Sequence, residues 1–136
     1  MRIAALAVMI SLSATSVQAK DARPYPVKDC GKFTVQMDLN KCAEDNYQSA
    51  DKALNKVYQA LMAQQDDAAS KQRLTEAERA WIVYRDRECD FEVGPQETGG
   101  SIWPSEMSGC LEELTASRIR ELKQAQDCTP LNCPLH

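Results

Sequence analysis

Histidine occurs once in this 136-residue chain, as His136, beyond Pro134. A general base must be held within hydrogen-bond reach of the proton it takes, and a terminal residue past a proline is a poor candidate. Zinc ligation is short of ligands too. Cys128-x4-Cys133 has loosely ligand-like spacing, but no second pair accompanies it. Strand-type alternation and internal repeats are absent. The apolar stretch Ile3 to Val17 falls short of the ~20 residues that a membrane-spanning helix needs, and nothing downstream replaces it. Basic residues are outnumbered, 16 Lys+Arg against 20 Asp+Glu, for a net charge of −4. That excludes a nucleic-acid binder relying on overall positive charge, and the length fits one domain rather than a multidomain enzyme.

The N-terminal order is one positive charge at Arg2, an apolar run, and then Val17-Gln18-Ala19. This is the order of a secretory signal peptide over residues 1–19, cleaved after Ala19. Cleavage removes one cation and no acid, making the exported chain slightly more acidic. Lys20, not cysteine, follows the cleavage point, so no lipid anchor is expected there. The chain is therefore expected in the periplasm or secreted, with no stable membrane insertion after cleavage. In that oxidising compartment Cys30, Cys42, Cys89, Cys110, Cys128 and Cys133 read as three disulfides.

Residues 20–34 contain Pro24, Pro26 and Gly31 and read as an extended lead-in. Helical periodicity runs from about Val35 to Gln65, through Leu39, Cys42, Tyr47, Ala50, Leu54, Val57, Tyr58 and Leu61, with Thr34 as the expected N-cap. A second helix is expected over about Ala69 to Glu92, with Leu74, Ala77, Trp81, Tyr84, Glu88 and Phe91 along its inner line. Val93-Gly94-Pro95 stops it. The loop Gly94 to Trp103 leads to Pro104, which suits the first turn of a third helix. The expected fold is all-α: a three-helix up-down-up bundle over 35–127, followed by an irregular tail over 128–136.

Topology constrains the disulfides. Cys30, Cys42, Cys89 and Cys110 all fall near the end where the first helix starts, called the lower end here. Cys128 lies about 27 Å from Cys110 along a helix axis, beyond the roughly 7 Å span of a bridge. The expected pairs are Cys89–Cys110, Cys30–Cys42 and a local Cys128–Cys133.

Catalytic constellations are weak. Ser49-Ala50-Asp51-Lys52 matches an acylating Ser-x-x-Lys, but its companion motifs are missing. Paired acids such as Asp66-Asp67 and Glu112-Glu113 fit solvated helix faces. Asp51 differs, because it shares a line with Tyr47, Leu54 and Tyr58 that is expected to face the core, where a carboxylate needs a partner. Asp51 stands roughly 24 Å up the first helix and Arg118 roughly 21 Å up the third, with Arg85 near 10 Å. Height thus favours a structural Asp51–Arg118 ion pair. Arg85 and Asp86, as neighbours, are expected to bond in different directions. Trp81 is expected in the core. Trp103 has two readings, a binding element with Ile102 on a stapled loop, or an inward cap of the lower end.

Cys42, then Ala50-Asp51-x-x-Leu54-Asn55-x-x-Tyr58-x-x-Leu61, then Ala80-Trp81-x-x-Tyr84-Arg85-Asp86-x-x-Cys89 form a set. With Gly99-Gly100-Ser101-Ile102 and Leu114-Thr115-x-x-Arg118-x-x-x-Leu122, this set resembles the lysozyme-inhibitor LprI-like family, over about Cys30 to Leu122. The resemblance implies a small exported helical domain and lysozyme inhibition, without supplying inhibitory residues. The chain departs from the naming member in lacking its lipid-attachment cysteine, and it adds the Cys128–Cys133 tail.

The expectation is a non-enzymatic binding protein without metal or cofactor, acting on a basic lysozyme-like muramidase. The contact is expected at Glu97, Gly99, Gly100, Ser101, Ile102, Trp103 and Glu106. The alternative is a periplasmic adaptor or envelope-stress accessory protein that binds another envelope protein.

Overall fold

The computed structural model describes residues 23–128. The signal segment, Cys133 of the expected Cys128–Cys133 bridge, and His136 lie outside the described residues. Three long helices form the bundle: α1 (Gln36–Ala63), α2 (Ala68–Val93) and α4 (Trp103–Gln126). The lower connection holds a one-turn α3 (Gln96–Gly99) and a 3-10 turn (Gly100–Ile102), and a second 3-10 turn (Cys30–Lys32) lies in the lead-in. No helix among the described residues is long and apolar enough to cross a membrane.

The helix ends follow local chemistry. Val35, not Thr34, is the N-cap residue of α1 and makes no side-chain cap. Its carbonyl accepts from the Asp38 and Leu39 amides, each at 3.1 Å. Asp38 in the first turn complements the helix dipole. Asp67 caps α2, accepting from the Ser70 amide at 2.8 Å and the Ser70 hydroxyl at 2.7 Å. Those two bonds, the hydroxyl first, hold its carboxyl below the usual carboxylate range. Gly94 ends α2 at φ 77°, a left-handed conformation that other residues rarely adopt. Pro104 lies in the first turn of α4, where its missing N–H has no helical partner to lose.

Helix α4 is the spine. It packs along α1 and less along α2, whereas the α1 and α2 backbones stay apart. Ala50, Leu54 and Leu61 of α1 meet Ala116, Ile119 and Leu122 of α4, with Tyr25 of the lead-in sealing the side. Fully buried alanines at 50 and 116 leave room for close approach of the two backbones. The buried line of α1 is Cys42, Asn46, Ala50, Leu54 and Leu61, which displaces Asp51 to the edge facing α2.

The roll of α2 departs from expectation. Its inward positions are Leu74, Glu78, Trp81, Arg85 and Cys89, while Tyr84 is exposed and Phe91 is 83% exposed. Cys89 is fully buried in its bridge to Cys110, with Cα atoms 5.7 Å apart. That bridge fixes the rotation of the helix, and Phe91, two positions on, points away.

The lead-in is extended, as its prolines require, and is pinned at several points. The Lys28 amide donates to Asn46 Oδ1 at 2.8 Å, and Asn46 Nδ2 donates back to the Lys28 carbonyl at 3.0 Å. Tyr25 donates its hydroxyl to Glu112 at 3.0 Å. Cys30–Cys42 fastens the segment to α1.

Candidate functional site

Two regions gather the residues singled out in the sequence. The first is the lower rim, residues 94–106. Trp103 is half-buried: its indole Nε1 donates to the Gly94 carbonyl at 2.9 Å, closing the connection on itself. A Cβ on Gly99 would sit 2.5 Å from Trp103 Cδ1, so only glycine lets the ring lie there. Gly100 supplies the second left-handed turn at φ 63°. From α1, Asn40 Nδ2 donates to the Ser101 carbonyl at 2.9 Å. Cys89–Cys110 staples the base. Trp103 thus splits the two sequence readings: it caps the end partially, while Ile102 beside it stays 48% exposed.

The rim carries one sign of charge. From Glu88 to Ser117 the sequence holds seven acids and no Lys or Arg. Glu97 and Glu106 are both exposed. A rigid loop loses little conformational freedom on binding, and unpaired surface charge of one sign steers an oppositely charged partner.

The second region lies between α1 and α2. There Asp51, Leu54, Asn55 and Tyr58 face Thr75, Glu78, Arg79, Ile82 and Arg85 across a groove of about 320 Å³. Residues from separate sequence blocks of the family resemblance converge here, and the convergence has an internal logic of ion pairs and rings. Arg85, with a side chain only 8% exposed, sends Nε and Nη2 to Asp86 Oδ1 at 2.9 and 2.7 Å. Its guanidinium lies 5.6 Å from the Tyr47 ring and 5.3 Å from the Trp81 ring. Arg118 approaches Trp81 at 5.7 Å. Stacking on aromatic faces recovers part of what these cations lose on leaving water. Burial also raises the Tyr47 phenol, with Arg85 opposing the shift.

Two expectations are corrected here. Arg118 does not pair with Asp51: Nε and Nη2 both reach Glu78 Oε2 at 3.0 Å, and Nη1 reaches Glu121 at 2.9 Å. The Asp51 side chain is 44% exposed and lies 4.0 Å from Arg85 Nη1, while its Oδ2 accepts from Asn55 at 3.2 Å. Height along the bundle was a sound guide but had a second solution. Glu78 stands about 15 residues above the lower end of α2, and Arg118 about 15 above the start of α4, or roughly 22 Å each. Glu78 also lies inward, one turn before Trp81, and that spacing could have identified it. Arg85 and Asp86, expected to diverge, bond to each other, because the long arginine side chain curls back to its neighbour's carboxylate, while Arg85 also reaches Asp51 and Tyr47 of α1.

Leu54 is core, and Trp81 packs against the core from its edge. Thr115, from the same set of blocks, is fully buried, and its hydroxyl has no hydrogen-bond partner among the described residues. Among those residues no three His, Cys, Asp or Glu side chains are grouped as a metal site.

The sequence profile of the lysozyme inhibitor LprI family matches residues 29–122. An uncharacterized protein of Rhizobium meliloti is 41% identical over 139 residues, covering 93% of this chain and 97% of that protein. No solved structure matches. The matched segment contains the whole of α1, α2, both lower disulfides, the rim and most of α4, and on that match the chain belongs to the lysozyme inhibitor LprI family.

Proposed function

We propose that this protein is an exported, non-enzymatic inhibitor of a lysozyme-like muramidase, and that the lower rim makes the contact. Family membership supports the activity, and the signal-like order of residues 1–19 supports export. One observation carries the choice of surface: a loop locked by Trp103, Gly99 and Asn40 presents exposed Ile102 between acids, within a stretch free of Lys and Arg. Animal-type lysozymes are strongly basic, so such a rim supplies both the steering charge and a preformed apolar contact.

The test is titration of the oxidised protein into a cell-wall lysis assay with an animal-type lysozyme, at low and at physiological salt. Stoichiometric inhibition that weakens as salt rises is expected. Trp103→Ala should weaken it about tenfold or more, while far-ultraviolet circular dichroism stays unchanged. Absence of inhibition at both salts rejects the animal-lysozyme reading. Undiminished inhibition by the Trp103→Ala variant rejects the rim.

The adaptor reading draws on a different surface. Val83, Tyr84 and Phe91 stand exposed on the outer side of α2, where an apolar partner could cover them. Binding through that side would be insensitive to salt and lost on Phe91→Ser, with lysis untouched.

A further inference from the structure

A third surface lies higher on the bundle, away from the rim and the motif-lined groove. On the α1/α4 side a concavity of about 380 Å³ opens, with Ala53 and Val57 of α1 and Ile119 of α4 at its base. The Pro24–Pro26 segment of the lead-in forms one wall. Its edge carries Lys52, Lys56 and Lys123, all three exposed and none with an ion-pair or hydrogen-bond partner among the described residues. This contrasts with Lys28 and Lys41, which both reach Asp45.

Three cations thus gather at one edge in a chain of net charge −4. Lys52 and Lys56 are one helical turn apart, where like charges oppose each other and helix stability falls slightly. Lys123 adds a third cation from the facing helix. The base beneath them is aliphatic, so an anion at the edge is attracted more strongly than it would be over open water. The volume falls within the range of small-molecule sites.

We infer that this concavity binds a single-chain anionic amphiphile, its apolar body against Ala53 and Val57 and its carboxylate or phosphate head among Lys52, Lys56 and Lys123. The three cations fix the sign of the head. The aliphatic base and the proline-rich wall suit an apolar body, which a free inorganic anion lacks. Lys52, the last residue of the Ser-x-x-Lys match, serves here as a charge and not as a catalytic group. The inference is independent of lysozyme inhibition, because none of these residues belongs to the rim.

Nuclear magnetic resonance of the oxidised full chain tests it, following the Ala53 and Val57 methyl signals during titration with monomeric dodecyl phosphate. Saturable shifts at both methyls are expected. Lys56→Gln should weaken binding about fivefold, and Lys52→Gln/Lys56→Gln/Lys123→Gln about 100-fold, on the typical contribution of one lysine near an anionic surface. The exposed lysines make these variants compatible with the fold. Equal affinity for neutral dodecyl maltoside would overturn the proposal, as would unchanged affinity in the triple variant. Saturation by inorganic phosphate at the same concentration would reduce the site to a bare anion site. Binding to phosphatidylglycerol vesicles without uptake of the monomer would reassign the lysines to a membrane surface and likewise overturn it.

Discussion

The lower end and the upper half of this bundle are held together by different means and differ in charge, the first rich in acids and the second nearly balanced. Below, two disulfides, Cys30–Cys42 and Cys89–Cys110, fasten the lead-in to α1 and α2 to α4. The connection between α2 and α4 is set by glycine conformation and the Trp103–Gly94 hydrogen bond. Above, the helices are held by packing of Leu54, Leu61, Ile119 and Leu122, and by the Arg118–Glu78 pair against Trp81. Acids dominate the first region, and three unpaired lysines ring a concavity in the second. Covalent staples suit a surface that must keep its shape while offering little apolar burial. An ion pair at a helix interface instead sets register, at a cost in desolvation that its own geometry must offset.

The largest blow to that contrast should come from the upper half. Arg118→Met leaves Glu78, with a side chain only 10% exposed, without its partner, and should cost about 3–5 kcal/mol. Chemical denaturation measures this. The double variant Arg118→Met/Glu78→Gln should recover at least half of the loss. A single-variant cost below about 1 kcal/mol would mean that the pair does not organise the upper half.

Removing the lower staple with Cys89→Ser/Cys110→Ser should cost about 3 kcal/mol, given the 21-residue separation of the bridge. Amide exchange should quicken first in residues 94–106 and leave Leu54 and Ile119 protected. Uniform loss of protection would erase the distinction between the two ends.

Charge reversal sharpens the electrostatic half of the comparison. Glu97→Lys/Glu106→Lys should reduce lysozyme inhibition about tenfold at low salt, mainly through slower association, with a smaller effect at high salt. Surface plasmon resonance at two salt concentrations separates these effects. An effect that stays constant with salt would argue against steering by the rim.

The smallest effect concerns the lead-in. Burial raises the Tyr25 phenol from 10.0 to about 12; bonding from Arg23 opposes the shift and bonding to Glu112 assists it. A group whose folded pKa is raised contributes its full stability below the unfolded value and loses it as pH climbs through the folded one. The lead-in should therefore loosen between pH about 10 and about 12. Tyrosinate absorbance compared with a Tyr25→Phe variant reads this directly. A titration of Tyr25 at the ordinary value would show that the phenol is not buried in solution.

Much of the fold was legible because its determinants are local. The breaks at Gln64–Asp67 and Val93–Pro95 and the first-turn Pro104 gave three long helices within a few residues of their ends. The lower disulfides followed from helix lengths and the reach of a bridge. The rim was less legible. Gly99, Gly100 and Trp103 stood out as unusual residues, but the indole bond back to Gly94 and the Asn40 clamp depend on contacts between elements. Glu78 had one local signal, its place one turn before Trp81, but that spacing marks a face and leaves the partner to the packing of α2.

Sequence alone settled the helical class, the up-down-up order, the lower staples and the acidic stretch from Glu88 to Ser117, all of which are periodicities or spacings along the chain. Tertiary structure decided the roll of α2, the choice of Glu78 over Asp51 as partner of Arg118, and the gathering of Lys52, Lys56 and Lys123 around one concavity. Periodicity gives a helix a face but leaves its rotation free by tens of degrees. The Cys89–Cys110 bridge and the packing of α4 on α1 and of α2 on α4 remove that freedom. Ion pairing then follows from which carboxylate the fixed rotation brings within about 3 Å of a guanidinium.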